Sequence, residues 1–220
     1  MNNLLEKIAQ CIEFGKINRI TPYPPEMNGQ DGADELTKLA LENNISPEEV
    51  LNKGLIEGMN RIGKKFVENK VYVPQMLLSA RAMNMAMQHI KPFFQSGEIR
   101  QKGTFIIGTV AGDLHEIGKN IIAMAVEGNG WKTIDLGVDV KPADFLNTLK
   151  ENPAAVVGLS ALLTTTMVNM KTIVSEIKAD FPETKIIIGG APINDDFRRE
   201  IGADFYSPNP QGALEYLNEL

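Results

Sequence analysis

Phe105-Ile106-Ile107-Gly108-Thr109-Val110 runs into Gly112-Asp113-Leu114-His115-Glu116-Ile117-Gly118-Lys119-Asn120. The apolar run reads as a strand, and the polar stretch as the loop into a helix that extends to about Glu127. The pattern then repeats. Thr133-Ile134-Asp135-Leu136 is a second strand, with a helix from Pro142 to Lys150. Ala155 to Ser160 is the third strand, followed by a long helix ending near Asp180. Lys185-Ile186-Ile187-Ile188 is the fourth, and a short strand around Phe205 precedes a final helix. Mostly apolar strands separated by helices imply a parallel sheet covered on both faces. The connection rules make this a doubly wound α/β fold that binds ligands past the C-terminal ends of its strands.

Upstream the texture is helical. Leu4, Ile8 and Ile12 recur at four-residue spacing. Leu36, Leu39, Ala40 and Asn43 follow a Pro/Gly-rich stretch from Thr21 to Gly32. Ser46-Pro47-Glu48-Glu49 combines a capping box with Pro at the first helical position. From there Leu51, Leu55, Met59, Ile62 and Phe66 hold one face. Pro74 opens another helix, with a stripe of Met76, Ala80, Met83, Met87, Ile90 and Phe94. Four amphipathic helices make a bundle, and the methionines read as its core, since Met fills irregular gaps. His89 lies mid-helix with no partner identifiable from sequence. The expected division is a helical domain over residues 1–95, a polar linker at 96–103 and the sheet domain at 104–220.

The 220 residues carry 22 Lys+Arg against 28 Asp+Glu, a formal net charge of −6, which argues against nucleic acid as a partner. The longest apolar runs fall far short of the ~18 residues of a membrane span. The N-terminus lacks a secretory layout, so a cytoplasmic location is expected. Cys11 is the only cysteine, which removes intrachain disulfides, C-x-x-C pairs, cysteine-rich zinc sites and iron–sulfur clusters. With only His89 and His115 as histidines, any metal must take few protein ligands.

Three strand ends carry the unusual residues: Gly112 to Asn120, Ser160 to Thr166, and Gly189-Gly190-Ala191-Pro192. In a doubly wound sheet these loops share one edge and can converge on one ligand. A P-loop fails on spacing, because five residues separate Gly112 from Gly118 and Asn120 stands where the hydroxyl belongs. A dinucleotide fingerprint fails as well. His115 is the singular feature. An isolated D-x-H is commonly just an exposed loop histidine beside an acid. Its functional reading is a metal ligand whose second nitrogen donates to a carboxylate, here Asp113. One imidazole cannot hold a free ion, but it can supply an axial position to a metal already held in a macrocycle.

Asp113-x-His115-x-x-Gly118, 41 residues, Ser160-x-Leu162, 26 residues, then Gly189-Gly190 resembles the cobalamin-binding signature D-x-H-x-x-G…S-x-L…G-G. Gly63-x-x-Phe66 and Val71-Tyr72-Val73-Pro74-Gln75 resemble the helical cap of methionine synthase and of the corrinoid proteins of anaerobic methyltransferase systems. The resemblance runs from about Ser46 to the C-terminus; the first helix fits loosely, and the Thr21–Gly32 insertion departs from the short loop of the family.

The resemblance implies a helical cap before a Rossmann-like cobalamin-binding domain. His115 would ligate cobalt from the lower face in place of the cofactor's own base. Asp113 would accept the distal imidazole N–H, and Thr166 would extend that network with its hydroxyl. These three form the implied catalytic set. Gly112, Leu114, Glu116 and Gly118 belong to the same cofactor-binding loop. Ser160 would meet the buried base, with Leu162 beside it and Thr164 near the corrin or its tail. Gly189 and Gly190 would let backbone approach the tail, and Phe66 and Val73 would cover the corrin's upper face. The implied activity is methyl carriage. Cob(I)alamin takes a methyl group from a substrate:corrinoid methyltransferase, and methylcobalamin delivers it to a second methyltransferase acting on tetrahydrofolate or a thiol. The protein would be a non-autonomous subunit, with a reductive activator as a further partner and residues 96–103 as hinge. The family's donors include methanol, methylamines, betaines and aryl methyl ethers. A methoxylated or quaternary-amine donor is expected, though no residue selects it. The alternatives are the cobalamin subunit of a radical mutase, which typically lacks this cap, and a corrinoid sensor, which should add an effector module.

Overall fold

The computed structural model describes residues 2–220, in two compact units: residues 2–101 with Gly128–Gly130, and Lys102–Glu127 with Trp131–Leu220.

The first unit is a helical bundle. Helix α1 (Asn2–Phe14) buries Leu5, Ile8, Ala9 and Ile12, and α2 (Ala33–Glu42) buries Ala33, Leu36, Thr37 and Ala40. Both stripes follow the i, i+3, i+4, i+7 rule; the α1 stripe starts at Leu5 and leaves Leu4 half-buried, and the α2 stripe starts at Ala33, one turn before Leu36, which turns Leu39 and Asn43 outward. Ser46 caps the next helix by accepting from Glu49 N at 3.1 Å. Only half the capping box forms, because the Glu49 carboxylate turns outward to Lys53 at 2.6 Å. The rod then continues through α3 (Pro47–Glu49), a π-helical segment (Val50–Ile56) and α4 (Glu57–Val67). Nothing in the apolar spacing foresees the π segment. Gly58 lets α4 meet α1 closely: a Cβ there would sit 2.5 Å from Ala9 O and 2.6 Å from Ile12 Cβ.

Helix α5 (Val73–Gln95) starts with Gln75 Oε1 accepting from Tyr72 N at 3.1 Å and buries Met76, Ala80, Met83, Met87 and Ile90; Phe94 is half-buried. His89 does have a partner: its Nε2 lies 2.6 Å from Asp34 Oδ1, joining α5 to α2. The Thr21–Gly32 insertion is anchored by the wholly buried Lys16, whose Nζ donates to Thr21 O at 2.6 Å. Cys11 is buried too, and burial pushes its thiol up to about 12.

Residues 96–103 carry neither helix nor strand. The second unit is built on β1 (Thr104–Thr109), β2 (Lys132–Asp135), β3 (Val156–Ser160), β4 (Ile186–Gly189) and β5 (Phe205–Tyr206). They pair in parallel in the order β2-β1-β3-β4-β5. Val110 leaves the strand expected to include it and bridges Val140 instead. Helices α6 (Ile117–Gly128), α7 (Pro142–Glu151), α8 (Thr164–Met167), α9 (Asn169–Asp180), α10 (Asp195–Ile201) and α11 (Pro210–Glu219) complete the unit.

The expected long helix after β3 is two helices. At Val168 the ladder slips to a three-residue return, with Lys171 N donating to Val168 O at 3.2 Å. Helix α10 is absent from the expected elements although its signals are local: Asn194 Oδ1 accepts from Phe197 N at 2.9 Å, and Asp195 and Asp196 fill the first turn.

The chain steps from β1 to β2 in one direction and from β2 through β5 in the other. Right-handed crossovers therefore place α7, α9 and α10 on one face and α6 on the opposite face. Alternation does the rest: Ile106, Val157, Leu159, Ile186 and Ile188 pack with Phe145, Leu149, Met170, Ile173 and Ile177, leaving Phe105 and Ile107 for the other face. Among the described residues no helix is long and apolar enough to cross a membrane.

A Cβ at Gly58 meets backbone oxygen, which cannot swing aside. Gly58→Ala is expected to lose about 1–3 kcal/mol by overpacking, a cost set against the gain of about 1 kcal/mol in helix propensity. A net fall in the urea midpoint measures it.

Candidate functional site

Strands β1 and β3 are adjacent but feed connections on opposite faces, so their outgoing loops diverge and open a crevice at the sheet's edge. Asp113 spans it. Its side chain is fully buried. Oδ2 accepts from Thr166 Oγ1 at 2.6 Å and Leu162 N at 2.8 Å, both on the β3 side, with Leu163 N at 3.4 Å. Oδ1 accepts from His115, through the backbone N at 3.0 Å and the ring Nδ1 at 2.7 Å. Burial alone would raise this carboxyl's pKa. The hydrogen bonds from Thr166, Leu162 and His115 outweigh burial and hold it well below the usual carboxylate range.

That ionisation decides the imidazole's tautomer. A carboxylate can only accept, so Nδ1 carries the hydrogen and a neutral ring keeps its lone pair at Nε2. Among the described residues Nε2 has no hydrogen-bond partner, and half the His115 side chain is exposed.

The loop's backbone is held from both sides. Gly112 takes a φ of +81°, and its N donates to Asp139 Oδ1 at 2.7 Å. Asp139 N returns a bond to Asp113 O at 3.0 Å. Asn169 Nδ2 donates to Ala111 O at 2.7 Å and Thr109 Oγ1 to His115 O at 2.9 Å. Sequence reasoning missed Thr109, Asp139 and Asn169, and nothing local marks them: each is one polar residue among many at a strand end, loop or helix.

Of the residues expected in the site, the structure joins Asp113, His115, Thr166 and the Leu162 backbone by direct bonds. Gly112, Leu114, Glu116 and Gly118 share the His115 loop and the first turn of α6. Leu114, Leu162 and Leu163 on these two loops, Ile117 at the start of α6 and Val168 between α8 and α9 are all exposed large apolar side chains, an unusual concentration for a surface. Thr164 is exposed at the start of α8. Ser160 ends β3 in register with Thr109 and Gly189, and its carbonyl accepts from Val110 N at 3.0 Å. Gly190 has a reason of its own, distinct from close approach of a cofactor tail: at φ +131° its Cβ would lie 1.8 Å from Ala161 O. At Gly118, by contrast, an added Cβ would meet nothing within 4 Å. Phe66 is half-buried in the last turn of α4 and Val73 is exposed at the start of α5, both in the helical unit.

These residues fit a macrocycle-held metal. Among the described residues no three His, Cys, Asp or Glu side chains gather as a metal-ion site. One oriented imidazole with an unshared Nε2, on a loop that also exposes Leu114 and joined through Asp113 to a loop that exposes Leu162 and Leu163, is instead what a flat, largely apolar metal complex requires of its lower face.

The chain belongs to the B12-binding family. Residues 103–214 match the B12 binding domain, and residues 29–91 match a second B12 binding domain model. Trimethylamine corrinoid protein 1 of Methanosarcina acetivorans is 39% identical over 205 residues, which cover 91% of this chain and 93% of that protein. The crystal structure of a cobalamin-binding protein from Desulfitobacterium hafniense matches with a TM-score of 0.75 at 25% identity, covering 99% of this chain and 97% of the other. A chain of the methanol:cobalamin methyltransferase complex from Methanosarcina barkeri matches with a TM-score of 0.79 at 25% identity, covering 99% and 79%. The helical bundle followed by a parallel-sheet domain is thus the architecture of cobalamin-binding proteins, and cobalamin is the cofactor of this family.

Asp113→Asn keeps the shape, removes the charge and turns one acceptor into a donor. Its expected cost near pH 7 is about 2 kcal/mol. A carboxyl depressed in the folded state stabilises above its unfolded pKa, and that contribution is lost as pH falls toward the folded value. The stability gap between wild type and variant should therefore be widest above about pH 5 and narrow below about pH 4, as urea midpoints across that range would record. Gly190→Ala should destabilise by more than about 3 kcal/mol, whereas Gly118→Ala should leave the cofactor-free protein unchanged or up to about 1 kcal/mol more stable.

Proposed function

We propose that this chain is the methyl-carrying corrinoid subunit of a cobalamin-dependent methyltransferase system, with a methylated amine as the donor. One observation carries the reading: the buried, ionised Asp113 that locks the His115 tautomer and leaves Nε2 unshared at the sheet's switch point. Bound cobalamin supplies a cobalt centre that accepts a methyl group from one partner enzyme and yields it to another.

The chain's own residues do the rest. His115 Nε2 would hold the cobalt, with Asp113 and Thr166 fixing the ring's angle. Because Asp113 is held ionised, its carboxylate stays an acceptor of the Nδ1 hydrogen bond. Ser160 lies at the end of β3 where the cofactor's displaced base would be received. Gly189 and Gly190 border the path of the tail, Thr164 reaches its polar edge, and Leu114, Leu162 and Gly118 offer surface to the ring. In the helical unit, Phe66 and Val73 would cover the upper face when the carrier is idle. The partners are a substrate:corrinoid methyltransferase, an acceptor methyltransferase and a reductive activator. A methylated amine is favoured because of the relatives named trimethylamine and dimethylamine corrinoid proteins. Residues 29–91 also match a B12 binding domain model, so the helical unit favours a carrier over a mutase subunit.

Protein mixed with hydroxocobalamin and desalted should retain the corrinoid, with a visible spectrum showing imidazole ligation. His115→Ala should lose that signature. Its methyl transfer should fall by at least the roughly 10–100-fold that losing a ligand's orienting partner costs. A panel of trimethylamine, glycine betaine, methanol and a methoxylated arene, each with its methyltransferase, assigns the donor. Retention of no corrinoid by the wild type would end the proposal.

A further inference from the structure

Lys119 lies in the first turn of α6, four residues after His115, and its side chain is only 2% exposed. Burying an ammonium is costly unless it is paired and hydrogen-bonded. Its Nζ donates to Asn120 Oδ1 at 2.6 Å and to Asp135 Oδ2. Asp135 ends β2, and its other oxygen accepts from Gly137 N at 2.8 Å. Gly137 O accepts from Thr109 N at 3.0 Å, and the Thr109 hydroxyl donates to His115 O at 2.9 Å. The circuit that leaves the chain at Lys119 thus returns to it at His115.

This circuit answers a mechanical question. Asp113 orients the imidazole, but it belongs to the same loop, so their mutual bond travels with the loop. Something outside must hold the loop itself. Thr166 and the Leu162 amide do so from the β3 side, through Asp113. On the β2 side the grip comes from residues 135–140: Asp139 bonds Gly112 N and Asp113 O, and Gly137 reaches the His115 carbonyl through Thr109. Asp135 positions that segment, and the buried ammonium holds Asp135.

We propose that Lys119, acting with Asp135 and Thr109, is a positioning residue that sets the height and angle at which His115 meets the cofactor metal. The inference rests on His115 being the lower ligand. In this role Lys119 touches neither metal nor corrin. Its charge is spent on keeping the β2–α7 loop in place, and the loop transmits that to the backbone carbonyl of His115.

The test loads full-length protein carrying heavy-nitrogen-labelled histidine with hydroxocobalamin, reduces the cobalt to its divalent state and reads by electron paramagnetic resonance the splitting from the labelled imidazole, which differs from that of the cofactor's own base. Lys119→Met cuts the circuit at the ion pair. Thr109→Val, nearly isosteric, cuts it at the His115 carbonyl. Lys178→Met removes a partly buried lysine–aspartate pair with Asp204 elsewhere in the unit and serves as control. The ratio of imidazole-bound to unbound cobalt should fall about three- to tenfold in both circuit variants, less than for a partner in direct contact with the ligand, and should not change in the control. Wild-type protein without splitting from the labelled imidazole overturns ligation by His115 and this inference with it. Wild-type splitting that persists undiminished in both variants overturns the positioning role alone, as does an equal loss in the control. If Lys119→Met does not fold, Thr109→Val decides.

Discussion

A single carboxylate with no exposure to solvent organises the sheet domain's functional edge. Asp113 gathers a hydroxyl, a backbone amide from the neighbouring strand's loop, and both nitrogen donors of His115. Desolvation works against its charge, and only this number of convergent donors makes the charged form the stable one. Once charged, the group does three things together. It staples the two diverging loops, selects the imidazole tautomer, and leaves a basic nitrogen at the crevice mouth. Removing any one donor weakens all three, because they share one pair of oxygens.

The sheet's topology explains why such a staple is needed. A parallel sheet leaves its C-terminal strand ends unpaired, and the reversal between β1 and β3 pulls their loops apart. The gap suits a ligand but leaves the loops without mutual support. Polar tethers take that part: Asp113 on the β3 side, and residues 135–140 with Thr109 on the β2 side. The apolar residues between the tethers, Leu114, Ile117, Leu162, Leu163 and Val168, stay exposed instead of collapsing into the gap. Their exposure is costly for a bare protein and sensible for one that seats a large flat cofactor.

Much of this was legible beforehand. The strand–loop–helix rhythm yields the sheet, because buried parallel strands must be apolar on both faces. The interval from Asp113 to His115 places the carboxylate beside the ring, since two residues of a tight loop span that distance. Thr166 was within reach of the reading because its position matched a family pattern. Lys119 escaped notice for a physical reason: its importance comes from burial and from Asp135, sixteen positions away, and neither leaves a mark in local spacing. The Leu162 amide could not have been found at all, since every residue but proline carries one. His89 illustrates the same limit in the helical unit, where its partner Asp34 lies 55 positions upstream.

From the order of residues alone came the fold class, the bundle ahead of the sheet, the signature loop and the pairing of His115 with Asp113. Periodicity and short-range motifs encode these because they depend on neighbours along the chain. The tertiary structure decided which stripe of each helix is buried and where the helix after β3 breaks. It also showed that Gly190 is demanded by the Ala161 carbonyl, and which distant side chains hold the His115 loop. Those outcomes turn on hydrogen bonds and contacts between segments far apart in sequence, and only a folded chain brings their atoms within reach of each other.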